Sequence, residues 1–528
     1  GDRTRAARAY VAALDAQPSD RKVLLRLMQL YSEEKDWGRL VEIILRLTDL
    51  VEDRTQLSRY YLTAGQLCEV HLGRPDEAVD YYETALSHDP NLDAALDGLA
   101  SVLGPKGDWE GLAQSYRKVL GKLPESAPAS LRARLHALLG PVYETHLRQP
   151  AEAIAAYEKA QELGPEAHDF REKLATLYLS DTKRFQERAV ETHRALLARD
   201  PMRVASLHAL RRVFTEARQP DAAWCLCQAL VSIKGAEPEE ENFFKKFRTE
   251  GPAVAQEKLN EERWGRDLVH PLQDPLLTSV FAAILPAVLK SRGVPLSQYG
   301  LAEAQRIDPS ADEGQMAQTV HYAAGVLGLK TPGVFVHEAD DSGLNFAHTD
   351  PPALFLGKTA LAGGPPKALA FLAGSRLSYF RSGHYVRQLV PTGTGLRAWL
   401  FAAIRAVQPS FPLAGDLTDA VTENVAAIKK HLAGPGIEVL GSLVSKLLAA
   451  DNALDLKRWT AGVDLTADRA GFLLANDLGM SLAVIRAGGD DSGGVPQADR
   501  LRELRTFAVS EGYFRLRREL GIALATQS

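Results

Sequence analysis

The chain has 528 residues, more than a single hydrophobic core organises, so two or more cores or a quasi-linear array are expected. Its 45% apolar and 24% charged residues are ordinary for a globular chain, and a net charge of −5 leaves no electrostatic footprint for nucleic acid. Three cysteines, Cys68, Cys225 and Cys227, are too few for a disulfide framework and suit a reducing compartment. No uninterrupted apolar run reaches the roughly 18–20 residues of a bilayer span. The longest, Leu276 to Leu289, has the length of a buried helix and is broken by Thr278 and Pro286. The chain opens Gly-Asp-Arg-Thr, without methionine or a secretory signal, and reads as a fragment. Its alanine- and arginine-rich usage points to a bacterium of high GC content, and the expected location is the bacterial cytoplasm.

The first 235 residues repeat. Prolines 18, 90, 124, 165 and 201 each follow by eight residues Tyr10, Tyr82, Tyr116, Tyr157 and His193, and by twelve residues Ala6, Ala78, Leu112, Ala153 and Ala189. Leu40 with Ile44, and Ala223 with Cys227, fill the same two offsets in two further segments. The gaps from Pro90 onward are 34, 41 and 36 residues, and Pro18 to Pro90 is 72, two units. Small residues such as Ala78 and Ala153 let helices cross closely, the aromatic fills the gap beside them, and proline stops the helix. Such a unit cannot bury its apolar face alone, so stacking is obligatory. Cys225 and Cys227 lie on different faces of one helix and read as buried structural cysteines.

Gly73-Arg-Pro-Asp-Glu-Ala-Val-Asp-Tyr-Tyr-Glu-Thr-Ala-Leu-Ser-His-Asp-Pro90 resembles the second helix and exit turn of the tetratricopeptide repeat, a helix–turn–helix unit of about 34 residues. Residues 1–236 are then an α-solenoid of an orphan second helix at 3–16 followed by about six helix pairs. The resemblance implies a groove made by the first helices, faced by Lys22, Gln29, Arg59, Gln66, Glu69, Asp97, Arg134 and Glu144, and a protein or peptide partner held there. Their mixed signs do not reproduce the Lys/Asn clamp that some members close on a C-terminal carboxylate.

Residues 237–275 change character, from an acidic break at Gly235-Ala-Glu-Pro-Glu-Glu-Glu to a charged helix with Phe243, Phe244 and Phe247, and read as a linker or connecting helix. From 276 onward, short β-rich runs at 334–337, 344–347 and 353–356 predict a hairpin or three-stranded sheet. Helices are expected at 366–381, 394–408, 416–432, 436–450 and 464–476, and a closing helix at 499–520 with one apolar and one basic, solvated face. The whole is mainly α: a solenoid followed by a helical α+β domain with a small sheet. Gly488 to Gly494 reads as a flexible loop by composition.

Residues 276–528 read as one domain, and the order of elements over roughly 276–485 of it resembles the HtpX-type gluzincin zinc metallopeptidases. The apolar lead-in Ala370-Phe-Leu-Ala-Gly374 precedes the motif position, His384 stands nine residues after Ser375, and Asp464-Leu-Thr-Ala-Asp468 resembles the family's Glu-x-x-Ala-Asp. The resemblance implies H-E-x-x-H at 375–379, with Asp464 as the third ligand. The residues there are Ser375-Arg376-Leu377-Ser378-Tyr379. Catalytic zinc needs three protein ligands and a base beside its water. Neither hydroxyl ionises readily, and Arg376 stays protonated and repels a dication. The expectation is a degenerate centre with no catalytic residue, metal or cofactor, in which Arg376 pairs with Asp464. His337 and His348 could oppose each other on the hairpin, and a working hydrolase with displaced ligands would draw on His337, His348, His384 and Asp464. The reading preferred is a non-catalytic interaction scaffold whose degenerate domain is a cap or a second binding surface.

Overall fold

The structure, a computed structural model, describes residues 2–413, 415–450, 454–488 and 494–525. It is mainly helical, with one small sheet, and divides into two compact units, Gly1–Thr192 and His193–Ser528.

In the first unit, α1 (Asp2–Ala16) is followed by pairs of helices: α2 and α3 (Arg21–Glu34, Trp37–Thr48), α4 and α5 (Arg54–Leu67, Pro75–His88), α6 and α7 (Asp93–Lys106, Trp109–Lys122), and α8 and α9 (Ala129–Pro141, Pro150–Leu163). Then come α10 (Arg171–Tyr178) and α11 (Thr182–Arg199), the helix in which the division between the units falls. Local chemistry sets the helix starts. Asp20, Asp36, Asp53 and Asp108 each accept hydrogen bonds from the first free N–H groups, and Pro75 and Pro150 open α5 and α9, where a missing N–H costs nothing. The aromatic eight residues before proline does what the spacing predicts. Tyr82 lies against Gly65 of α4 and Gly98 of α6, where a Cβ would come within 2.6 and 2.5 Å of the ring. Tyr157 lies against Gly140 in the same way.

A longer period is superimposed on the repeat. Both α4 and α8 widen into π-helical turns, Cys68–Leu72 and Val142–His146. These belong to matching stretches, Glu69-Val-His71-Leu-Gly-Arg-Pro75 and Glu144-Thr-His146-Leu-Arg-Gln-Pro150. The indole of Trp37, at the start of α3, stacks on His71 with ring centroids 4.3 Å apart, and Trp109, at the start of α7, stacks on His146 at 3.5 Å.

The second unit begins with α12 (Val204–Glu216) and α13 (Pro220–Ser232), which the proline spacing assigned to the array. Side chains explain why this pair falls on the second unit's side of the division. Asp221 of α13 takes both ends of the Arg517 guanidinium, and Gln228 accepts the Leu478 N–H at 2.7 Å. Cys225 and Cys227 are buried, and burial pushes the Cys227 thiol up to about 12. Helix Pro275–Arg292, the one described helix long and apolar enough in composition to cross a membrane, lays Leu277, Val280, Phe281 and Ile284 in the core of this unit. Around it pack Gly393–Val407, Thr418–His431 and Gly434–Ala449, close to the predicted helices.

The sheet differs from expectation. It has four strands in the order β1-β2-β4-β3: β1 (Arg306–Ile307), β2 (Gly333–Val336), β3 (Leu344–Ala347) and β4 (Ala353–Leu356). β3 turns back on β4, not on β2, and β2 runs parallel to β4. β1 was missed because two residues carry no periodicity. The closing helix is two, Gln497–Ala508 and Glu511–Glu519, with Ser510 capping the second. Its arginines are not all solvated. Arg517 is fully buried, and Arg500 is held by Asp468. The Gly488–Gly494 loop lies largely outside the described residues.

Candidate functional site

Two places gather the residues singled out by sequence, one in each unit. In the first unit, a groove of about 590 Å³ runs between α4 with its π-turn and α6, lined by Gln66, Glu69, Asp97 and Ser101 and floored by Gly98 and Tyr82. Glu69 accepts the Tyr82 hydroxyl at 2.5 Å and the Ser101 hydroxyl at 2.5 Å. Burial, followed by that carboxylate, raises the pKa of the Tyr82 phenol. Asp97 is exposed and makes no hydrogen bond or ion pair among the described residues. The other five groove candidates are not brought into this cavity. Lys22 and Arg59 are exposed on α2 and α4, and Gln29 is hydrogen-bonded along α2 to Arg26 and Glu33. Arg134 is paired with Asp93. Glu144 takes the Tyr157 hydroxyl at 2.5 Å and the Lys173 ammonium at 3.0 Å.

In the second unit, the motif helix (Pro366–Ser378) and the acid helix (Leu456–Ala475) cross closely. Glycine permits this. A Cβ on Gly471 would stand 2.6 Å from the Phe371 carbonyl oxygen, and one on Gly374 would stand 2.9 Å from that of Ala470. The acid helix begins earlier than predicted, so Asp464 sits within it rather than at its start. Tyr379 and Asp464 do come together. The phenol donates to Asp464 Oδ1 at 2.8 Å, inside a fully buried environment. The basic partner is not Arg376. Arg387 donates to Asp464 Oδ2 at 3.2 Å, whereas the Arg376 guanidinium lies 5.4 Å from the centre of the Phe346 ring. Burial raises the pKa of Asp464, and Arg387 works against that rise. One helical turn on, Asp468 is met by both ends of Arg500 at 2.7 and 2.8 Å. Ser375 contributes its carbonyl, which accepts from Ser378 Oγ.

The zinc implied by the resemblance does not fit these residues. The phenol of Tyr379 donates its proton to Asp464, and the Arg387 guanidinium already occupies the other carboxylate oxygen. The displaced set fares no better. His337 and His348 follow β2 and β3, which β4 separates, so they do not oppose each other. His348 Nδ1 faces the Tyr385 hydroxyl at 3.1 Å, and His384 Nε2 faces the Gln273 amide at 2.5 Å. The β3 edge beside the motif helix carries Phe346, whose ring packs edge-on to Tyr379 and Tyr385. Gly343 is paired with Gly357 through its carbonyl, which turns the main-chain groups of Leu344 and Phe346 away from β4, toward the free edge.

Sequence reasoning missed Arg387 and Arg500. The signal was there in part: two acids one helical turn apart in the apolar run Val463-Asp-Leu-Thr-Ala-Asp-Arg-Ala470 demand cations if that run is buried. Nothing in the spacing says which arginines answer.

His384 is expected to make the second unit acid-sensitive. Burial, then Arg381, pushes its pKa down to about 3. A folded value below the unfolded one stabilises the protein fully above about pH 6.5, and the contribution fades as the pH falls toward 3. The variant His384→Gln is expected to flatten the pH dependence of stability between about pH 6.5 and 4 by about 3 kcal/mol. Chemical denaturation at stepped pH reads this, and equal slopes in the two proteins would refute it.

The first unit is a helical repeat array with an open groove, and its class can be stated: residues 58–92 match the tetratricopeptide repeat family. The chain is also similar to the crystal structure of the MamA protein, at 23% identity and a TM-score of 0.21, covering 31% of this chain and 85% of that one. It is similar to the C-terminal part of a TPR repeat-containing protein from Cytophaga hutchinsonii, at 14% identity and TM-score 0.24, covering 46% and 94%. For PilF of Pseudomonas aeruginosa the values are 16% and 0.22, covering 47% and 100%. No curated protein matches the sequence.

Proposed function

We propose that the protein is a non-catalytic scaffold whose repeat groove holds a peptide segment of a partner protein. The observation that carries this is the open cavity at Gln66, Glu69 and Asp97, built by the first helices of consecutive repeats, α4 and α6, and bordering residues 58–92, which match the tetratricopeptide repeat family. The second unit, on this reading, is a degenerate peptidase-like domain serving as a cap or a second holding surface. The Tyr379–Asp464–Arg387 cluster supports the loss of chemistry, and the outward main chain of Leu344 and Phe346 offers an extended segment a strand to pair with.

The test uses the full chain and degenerate fluorescent heptapeptide pools, followed by anisotropy. Binding is expected, and Val70→Arg, a change at an exposed rim position, is expected to weaken it by about tenfold, the scale of one lost interface contact. Pools that bind wild type and variant alike would sink the groove assignment. Elemental analysis of the same preparation addresses the second unit, and one zinc per chain would overturn the non-catalytic reading.

A further inference from the structure

We propose that the groove at Glu69 and Asp97 receives the ammonium group of a lysine side chain from the partner, an inference that rests on the groove being a binding surface. The argument comes from the chain's own second version of the same site. Glu69 and Glu144 occupy the same place in the two π-turns, each accepting the hydroxyl of a tyrosine thirteen residues on, Tyr82 and Tyr157, at 2.5 Å. Gly65 and Gly140 lie under those two rings in the same way.

The versions differ at one decisive position. Twenty-nine residues after Glu144 stands Lys173, whose Nζ lies 3.0 Å from Glu144 Oε2 and 5.4 Å from the centre of the Tyr157 ring. A carboxylate and an aromatic face together are what an ammonium seeks. The residue at the same distance after Glu69 is Gly98, which has no side chain to offer. The groove opens there, between Glu69, Tyr82 and Asp97. In the second version the chain satisfies its own acid with a lysine; in the first it leaves the Glu69 carboxylate beside open groove, with Asp97 exposed next to it.

The local charge agrees. No lysine or arginine lines the groove, the His71 ring is stacked on Trp37, and Arg134 is committed to Asp93. Asp97 adds a second carboxylate one residue from Gly98, and the exposed Val70 side chain provides apolar surface for a methylene stem. Ser101 occupies only one direction at Glu69 Oε1, so the carboxylate retains acceptor capacity.

The experiment compares heptapeptide pools carrying lysine, or Nε-acetyl-lysine, fixed at the centre and degenerate elsewhere, by anisotropy on the full chain. The lysine pool is expected to bind at least about tenfold more tightly, as for one charge-assisted hydrogen bond. Asp97→Asn, an exposed substitution that leaves the packing of Tyr82 untouched, is expected to erase most of that preference. Lys173→Ala, also exposed, is expected to open the second version and raise the number of lysine-selective sites from one to two. Equal binding of the two pools, a preference unchanged by Asp97→Asn, or no second site after Lys173→Ala would each overturn the assignment. If no pool binds at all, the groove itself is not a binding surface; if every pool binds alike, only the lysine assignment fails.

Discussion

Replacing Arg387 with methionine is expected to destabilise the second unit by about 3–5 kcal/mol, because it leaves an uncompensated charge inside the protein. Arg387 and Asp464 are both buried, and Asp464 has Tyr379 as its only other partner among the hydrogen bonds described. Protonation would relieve the orphaned acid, so its pKa, already raised by burial, should climb further in the variant. The diagnostic experiment is the double variant Arg387→Met with Asp464→Asn. The amide keeps an acceptor for the Tyr379 hydroxyl and carries no charge, so it should recover most of the lost stability. The buried indoles of Trp399 and Trp459 in this core supply a fluorescence signal for denaturant titration. A double variant no more stable than Arg387→Met would show that the guanidinium acts through packing alone.

The second large effect concerns Arg517. Its guanidinium meets Asp221 with two hydrogen bonds of 2.9 and 2.8 Å, lies 4.9 Å from the Trp224 ring centre, and also donates to Asn476 and the Ile522 carbonyl. Asp221 in turn accepts the Leu524 N–H at 2.8 Å. Arg517→Met should cost about 3–5 kcal/mol, as for other buried pairs cut on one side. Arg517→Lys should also be costly, since an ammonium supplies neither the planar fork nor the stacking. Both are read by the unfolding midpoint of the second unit. A lysine variant with wild-type stability would mean that charge alone, and not the shape of the guanidinium, holds α13 to the C-terminal helices.

How far the sequence could be read follows from the range of the interactions involved. The repeat was legible because proline, aromatic and small residue act within one helix–turn–helix, and Tyr82 does lie on Gly65 and Gly98 as that logic requires. The helices of the second unit were legible for the same local reason. The sheet was legible only as strands. That β3 joins β4 while β2 runs parallel to it depends on the path between them, which no periodicity encodes. At the centre, the expected partner of Asp464 was Arg376, and the structure puts Tyr379 and Arg387 there instead. Arg387 could not be anticipated, since it lies 77 residues from its acid and outside the motif position, while the arginine at that position, Arg376, rests against Phe346. Of the eight groove candidates, Gln66, Glu69 and Asp97 line one cavity and the other five do not. The difference between Gly98 and Lys173 went unread because it emerges only when two repeats out of four are compared.

The paired Trp–His stacks bear on how such an array can lengthen. Each indole at the start of α3 or α7 leans on an imidazole supplied by the next repeat, so adjacent repeats are unlike and alternate ones are alike. Duplicating a single repeat would place two indole donors, or two imidazole acceptors, side by side and strand one ring without its mate. The smallest segment that can be copied or excised with every seam intact is therefore two repeats long, and growth of the array by recombination is quantised in that step.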